Sequence, residues 1–359
     1  MNALTIGGAT LDTIIAYEKM ETIEVYKPEN KQSYLLLKEG AKIEVTMQKC
    51  FSGGGGTNTA VSFKRLGFNV RFFGKVGRDN SGHLLLQELQ SQGIDTSGVG
   101  FSEKFGTATS YVVPSLKKDR IIFNYRGANY DLLTGDLPVT AIQEADFVYV
   151  TSLSKTSSLQ LIKIIELAVT CNTPVVVNPG SNEFGIDEGF IKKALNGIDI
   201  LIMNYDEAKK FMSSLLDYEY IGSTLLPKKT LLKTGRDIYQ DNLVLLKQFF
   251  HKTLTLGPRI VIITDGSNGV HVATRENLYF HPALKVDSIV NTLGAGDAFG
   301  SSFCGAVYLG KTIETALGYG VVNSASVIQF HDAKSGLLAH KEILKRLSCV
   351  CIKPKVMSW

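Results

Sequence analysis

The chain has 359 residues, 44% of them hydrophobic, and a formal net charge of +4. That is ample apolar material for one large α/β domain or two small ones. The small, scattered charge gives no argument for a nucleic-acid partner, and no apolar run approaches the ~20 residues of a membrane span. The five cysteines have no zinc-like spacing, and the start of the chain has neither the basic region nor the apolar run of a signal peptide. Reduced thiols in a cytoplasmic enzyme are the expectation.

Leu4-Thr5-Ile6 ends in Gly7-Gly8, which predicts a buried strand reaching a ligand at its carboxyl end. Asp12 follows within a few residues. A carboxylate that only accepts suits a polyol, whose hydroxyls all donate; a turn or helix cap is the alternative. Residues 13–48 then alternate polar and apolar, with strands at Ser33–Leu37 and Ile43–Val45, and 105–130 does so again around 108–113 and 120–125. Alternation implies a sheet with one wet face, and the two patches are expected to pair over a site as a lid.

Between the patches, Ser52-Gly53-Gly54-Gly55-Gly56-Thr57-Asn58 opens a helix, with Asn58 in its first turn. Lys75, Arg78 and Asp79 lie in a loop after an apolar strand, where salt bridging is the default. Arg126 closes the second patch and could reach a substrate or phosphate from above.

From Phe147 the chain alternates strand and helix. Short, continuous apolar runs at Phe147–Val150, Val175–Val177, Ile200–Met203 and Ile260–Ile263 predict parallel strands buried on both faces. Helices are expected between them, at Leu159–Val169 and Phe190–Leu195. Right-handed crossovers then give a doubly wound sheet with helices on both faces. One domain is expected over 1–345, with an enlarged connection at about 213–258 and a tail at 346–359. That connection contains an apolar, loop-like stretch at Leu215–Leu232 and an amphipathic helix near Ile238–Leu254.

Asn204 and Glu207 stand about one helical turn apart after a buried strand. They can act on a ligand or as a capping box, or both. Thr264-Asp265-Gly266-Ser267-Asn268-Gly269 reads by itself as a hairpin turn.

Asn291-Thr292-Leu293-Gly294-Ala295-Gly296-Asp297 precedes a helix. Helix N-terminal N–H groups are unpaired and carry partial positive charge, and glycine lets an anion approach them. A carboxylate at the rim of such a hole would repel a phosphate. The economical reason for Asp297 is general base chemistry on a hydroxyl that attacks a held phosphoryl group; a capped glycine turn is the alternative.

Together these stretches resemble the two signatures of the ribokinase family, the PfkB carbohydrate kinases, from Ile6 to about Leu338. The resemblance implies a ribokinase-like α/β fold with a small β lid and an ATP-dependent kinase acting on a small sugar, or else on a nucleoside. A non-catalytic sugar sensor is a third reading, which retention of Asp297 and the glycine hole argues against. It implies Asp297 as base, with Gly294, Ala295 and Gly296 as the anion hole. Asp12, Gly54, Gly55 and Asn58 would face the acceptor, with Arg126 above. Asn204, Thr264, Gly266, Gly269 and Asn323 would face ATP, a satisfied surface Asn being the other reading of Asn323. Glu207 would organise Mg²⁺ through water. A K⁺ site would use Asn291 and Leu293, weakened because the family usually has Asp at position 291. The turn after Phe147–Val150, Thr151–Ser154, lacks the sugar-contacting carboxylate of ribokinases proper. A homodimer through the lid is the expected assembly.

Overall fold

The computed structural model describes residues 1–17, 21–26, 31–114, 120–186, 189–215, 236–349 and 352–359. The first half of the chain runs β1 (Asn2–Ile6), β2 (Thr10–Ala16), β3 (Glu21–Tyr26), β4 (Lys31–Leu36), β5 (Met47–Gly53) and α1 (Gly55–Arg65). It continues with β6 (Asn69–Phe73), β7 (Lys75–Gly77), α2 (Asn80–Ser91), β8 (Gly100–Ser102), β9 (Ala108–Pro114) and β10 (Arg120–Tyr125). Next come α3 (Val139–Glu144), β11 (Phe147–Thr151), α4 (Gln160–Thr170), β12 (Val175–Asn178), α5 (Ser181–Phe184), α6 (Phe190–Ala194) and β13 (Ile200–Asn204). The rest comprises α7 (Tyr205–Leu215), α8 (Arg236–Thr255), β14 (Ile260–Thr264), β15 (Val270–Ala273), β16 (Asn277–His281), α9 (Ala295–Tyr308), α10 (Ile313–Val327), α11 (His340–Leu347) and β17 (Lys355–Ser358).

The main sheet has the order β17-β16-β15-β14-β13-β12-β11-β1-β6. It is parallel from β6 through β14 and antiparallel from β14 to β17. Alternate side chains of one strand enter opposite cores. Phe147 and Tyr149 of β11 join Phe63 of α1 and Phe303 of α9 on one face, whereas Val148 and Val150 join Ile164 of α4 and Phe249 of α8 on the other. Each such fully buried large side chain contributes about 1.5–3 kcal/mol. The four strands predicted from continuous apolar runs are β11, β12, β13 and β14, and their buried double faces are the physical reason that alternation is missing from them.

The lid differs in detail from the expectation. The two patches do pair, with β9 parallel to β2 in a sheet of order β10-β9-β2-β5. However, β3 and β4 form a separate two-stranded antiparallel sheet, and Ile43–Val45 is not a strand. Asp12 lies within strand β2, so the lid begins at Thr10, three residues before the expected residue 13. The expected tail carries β17, which adds a strand to the main sheet. Of the enlarged connection, α8 is present as expected, and residues 216–235 lie outside the described residues. No helix among the described residues is long and apolar enough to cross a membrane.

Candidate active site

Helix α9 begins at a left-handed Gly294 (φ 74°), a conformation that L side chains rarely adopt. A side chain there would also strike Ala333, whose Cβ lies 2.4 Å from the position a new Cβ would take. At Gly296 such a Cβ meets nothing within 4 Å, so this side of the first turn is open. The Ala295 N–H makes only a long turn bond to Thr292 O, 3.4 Å. A Cβ at Gly55 would lie 3.0 Å from Thr151, the last residue of β11, and 3.3 Å from Asp297, so the N-terminal dipole of this helix stands at the carboxyl edge of the sheet.

Asp297 directly follows Gly296. Its Oδ2 accepts from Asn58 Nδ2 at 2.8 Å, and a Cβ at Gly55 would lie 3.3 Å from its Oδ1. Asn58 and Gly55 are both in α1, whose N-cap Gly54 has φ 93°. The two helices are tied by Ser301 Oγ, which donates to Ser62 Oγ at 2.6 Å. Burial pushes the Asp297 carboxyl above its ordinary range, opposed by the Asn58 hydrogen bond and the charge of Lys334.

Asp12 sits on the lid strand β2 against Gly53, where any Cβ would fall 2.0 Å from its Oδ2. Ser110 of β9 donates to its Oδ1. Burial raises its pKa, while Ser110, Lys334 and Arg126 pull it down. Arg126 itself is exposed in the turn after β10, within electrostatic reach of Asp12.

A second group of residues meets at the ends of β13 and β14, where Asn204 pairs in register with Thr264. Asn204 and Glu207 form a reciprocal cap: Asn204 N donates to Glu207 Oε2 at 2.8 Å, and Glu207 N donates to Asn204 Oδ1 at 2.9 Å. Burial raises the Glu207 pKa against those bonds. Residues 265–269 turn between β14 and β15, closed by Asp265 N donating to Gly269 O at 2.8 Å. Gly266 (φ 49°) opens to free space. Behind this turn, a cavity of about 360 Å³ is lined by His281, Leu284, Gly318, Val321, Val322 and Leu347, among others.

The model of the pfkB family carbohydrate kinases matches residues 18–339. The chain belongs to that family. It is 28% identical over 275 residues to the ATP-dependent ribose-1-phosphate kinase of Halopiger xanaduensis, covering 77% of this chain and 79% of that protein. It is 26% identical to the ribokinase of Bacillus subtilis over 97% of this chain and 99% of that protein. Its fold matches the Arabidopsis thaliana ribokinase complexed with ribose and ATP (TM-score 0.71, 21% identity, 96% of this chain and 98% of that one). The chain is a carbohydrate kinase with the ribokinase fold that its glycine motifs lead one to expect.

Within this kinase, Asn323, expected to face ATP, is bonded to the protein itself. It is fully buried, its Nδ2 donates to Ser302 Oγ at 2.6 Å, and its Oδ1 accepts from Leu338 N at 2.8 Å. Both polar ends are thus consumed inside the protein, and the neighbouring Val321 and Val322 line the cavity instead. The kinase also turns Asn291 onto itself: Oδ1 accepts from Leu293 N at 2.9 Å, and Nδ2 donates to His331 O at 3.0 Å. A cation fits these groups poorly, because amide hydrogens face the carbonyl where an ion would need a further oxygen.

Lys75, Arg78 and Asp79 have structural partners: Asp136 and Asp131 for Lys75, Glu103 for Arg78, and the N-cap of α2 for Asp79. The turn Thr151–Ser154 has no carboxylate of its own but receives one. Glu183 accepts from Leu153 N at 2.5 Å and from Ser152 Oγ at 3.3 Å, and burial raises its pKa to about 7. Lys334 escaped the sequence reading. A lysine in a polar turn reads as solvated, yet this one is 4% exposed and its Nζ donates to Ser52 Oγ.

Proposed function

We propose that this kinase transfers the γ-phosphoryl group of ATP to a hydroxyl of a small sugar, with Asp297 as the base. The observation that carries the reading is the asymmetry of Asn58. Its amide nitrogen orients Asp297, while its Oδ1 is buried with no partner. A buried acceptor without a donor costs about 1–3 kcal/mol, and a second hydroxyl of a polyol bound beside Asp297 would satisfy it while the reacting hydroxyl donates to Asp297. Gly54, Gly55 and Asp12 would bound the same hydroxyl-bearing molecule, with Arg126 over it.

Asp297 takes the proton as the hydroxyl oxygen bonds to the γ-phosphorus and the bond to the β-phosphate oxygen breaks. The Gly294, Ala295 and Gly296 backbone stabilises charge on the transferred group, so catalysis is chiefly positioning and electrostatics. The lid excludes water, a competing acceptor. ATP would cross from this hole to Asn204, Thr264, Gly266 and Gly269, with its base toward the cavity behind the turn.

Among the described residues no group of three His, Cys, Asp or Glu side chains could hold a metal alone. Glu207, whose Oε2 is already occupied by the helix cap, fits outer-sphere contact through water. Mg²⁺ held mainly by the phosphates would neutralise their charge there. Exposed Tyr111, Phe123 and Tyr125 on β9 and β10 of the lid sheet, with Tyr111 and Phe123 directly paired, support a homodimer through the lid.

The test is ATP turnover with a panel of D-ribose, D-fructose, other small sugars, adenosine and inosine. Turnover with a sugar is expected. Turnover with nucleosides alone would replace the acceptor class, and no stimulation by any acceptor would favour a sensor.

A further inference from the structure

We propose that Lys334 is a positioning residue that holds the acceptor carboxylate Asp12 and the base Asp297 as one charged unit. The proposal rests on the kinase reading above. Lys334 belongs to neither element. It lies in the turn after α10, where Asp332 Oδ1 accepts from Lys334 N at 2.8 Å and from Ser335 N at 2.7 Å. Arg65 of α1 donates to Lys334 O at 2.9 Å and to Leu337 O at 2.5 Å. The preceding Ala333 packs on Gly294 at the start of α9. The backbone of this residue is therefore pinned both to α1, which carries Asn58, and to α9, which carries Asp297.

The side chain runs inward to the lid sheet. Its ammonium donates to Ser52 Oγ, which in turn donates to Glu88 Oε1 at 2.5 Å. Ser52 adjoins Gly53, where a Cβ would fall 2.0 Å from Asp12 Oδ2, so the ammonium is anchored one residue from the backbone that touches the acceptor carboxylate. Four carboxylates lie within electrostatic reach of it: Glu88 from α2, Asp12 from β2, Asp297 from α9 and Asp332 from its own turn. Asp12 also faces Ser110 and Arg126, and Asp297 faces Asn58.

A single hydrogen bond to a serine is poor compensation for burying an ammonium; lysine is almost never buried unless paired. The chemistry supplies a reason. Asp297 must be ionised to take a proton, and Asp12 must be ionised to accept from hydroxyls, but burial favours the neutral form of both. A polyphosphate entering the same cleft makes two ionised carboxylates harder still to sustain. One buried cation reaching both from a fixed third element opposes all three effects at once. The bland alternative is that Lys334 merely neutralises Glu88.

The experiment measures ATP turnover against pH with D-ribose, D-fructose and adenosine, and with water as the default acceptor. It compares the wild type, Lys334→Met and the pair Lys334→Met/Glu88→Gln. The single substitution is expected to lower acceptor kcat/KM by at least about tenfold, with the ATP KM within about twofold. Removing a cation raises a neighbouring carboxylate pKa, so the acid limb should move to higher pH. The pair should keep both defects, because removing Glu88 does not restore charge facing Asp12 and Asp297. A pair with wild-type kcat/KM and an unmoved acid limb overturns the proposal in favour of Glu88 neutralisation. Where the single variant fails to fold, the pair, which leaves no new lone charge, carries the test. Failure of both to fold would make Lys334 structural and overturn the proposal equally. If the wild type uses none of the three acceptors, the acceptor reading fails separately, and the pH comparison runs on ATP hydrolysis. A wild type with no ATP turnover at all removes both.

Discussion

The Asn58 amide donates to Asp297 Oδ2 at 2.8 Å across 239 positions of the chain. This bond turns two glycine-rich helix starts into one site. It fixes which carboxylate oxygen is occupied and leaves Asp297 Oδ1 beside Gly55, where no side chain obstructs it.

Asp297→Asn is nearly isosteric and should fold and bind ATP while losing turnover by ~10²–10⁴-fold, the usual scale of general base catalysis. Burial raises the wild-type carboxyl pKa, and the base works only when ionised. Activity should therefore fall, as pH is lowered, at a higher pH than for an ordinary aspartate. Steady-state kinetics across pH check both; near-normal turnover in the variant would reduce Asp297 to a residue of the helix start.

Asp12→Ala should raise the acceptor KM far more than the ATP KM. Charged hydrogen bonds of this kind are worth about 1.5–3 kcal/mol, and Ser110 would lose its partner as well. Equal changes in both constants, or none, would put Asp12 outside acceptor recognition.

Asn291 supplies an amide where the family usually has a carboxylate, and that amide is bonded at both ends. Activation by K⁺ should accordingly be weak or need high concentrations. Asn291→Asp removes the donor to His331 O and adds a charge, so it should strengthen the response. KCl titration at constant ionic strength decides; tight activation in the wild type, unchanged by the substitution, would contradict it.

Asn323→Ala should destabilise the protein by about 1–3 kcal/mol, because the buried Leu338 N–H loses its acceptor. Its effect on the ATP KM should be small, since neither end of the side chain is free for a ligand. Thermal unfolding and nucleotide kinetics separate the two; a large KM change with unaltered stability would return Asn323 to the nucleotide site.

The sequence by itself determined what short-range chemistry controls. Continuous apolar runs marked the doubly buried strands β11 to β14, because a strand covered on both faces needs no polar alternation. Glycines ahead of helical segments marked the starts of α1 and α9, and Asn204–Glu207 was legible as a cap because its two bonds span three residues. Tertiary structure alone decided the rest. Two positions along α10 turn the helix by more than half a circle, so the rotation of α10 against α9 sends Asn323 into the core and Val321 to the cavity. The pairing of β2 with β9, which carries Ser110 to Asp12, depends on strands about a hundred residues apart. Lys334 meets Ser52 across 282 positions, and nothing local distinguishes a lysine that will be buried from one that stays in water. Burial, and with it the tuning of a charge, belongs to the packed fold, because desolvation is set by what the rest of the chain brings around a group.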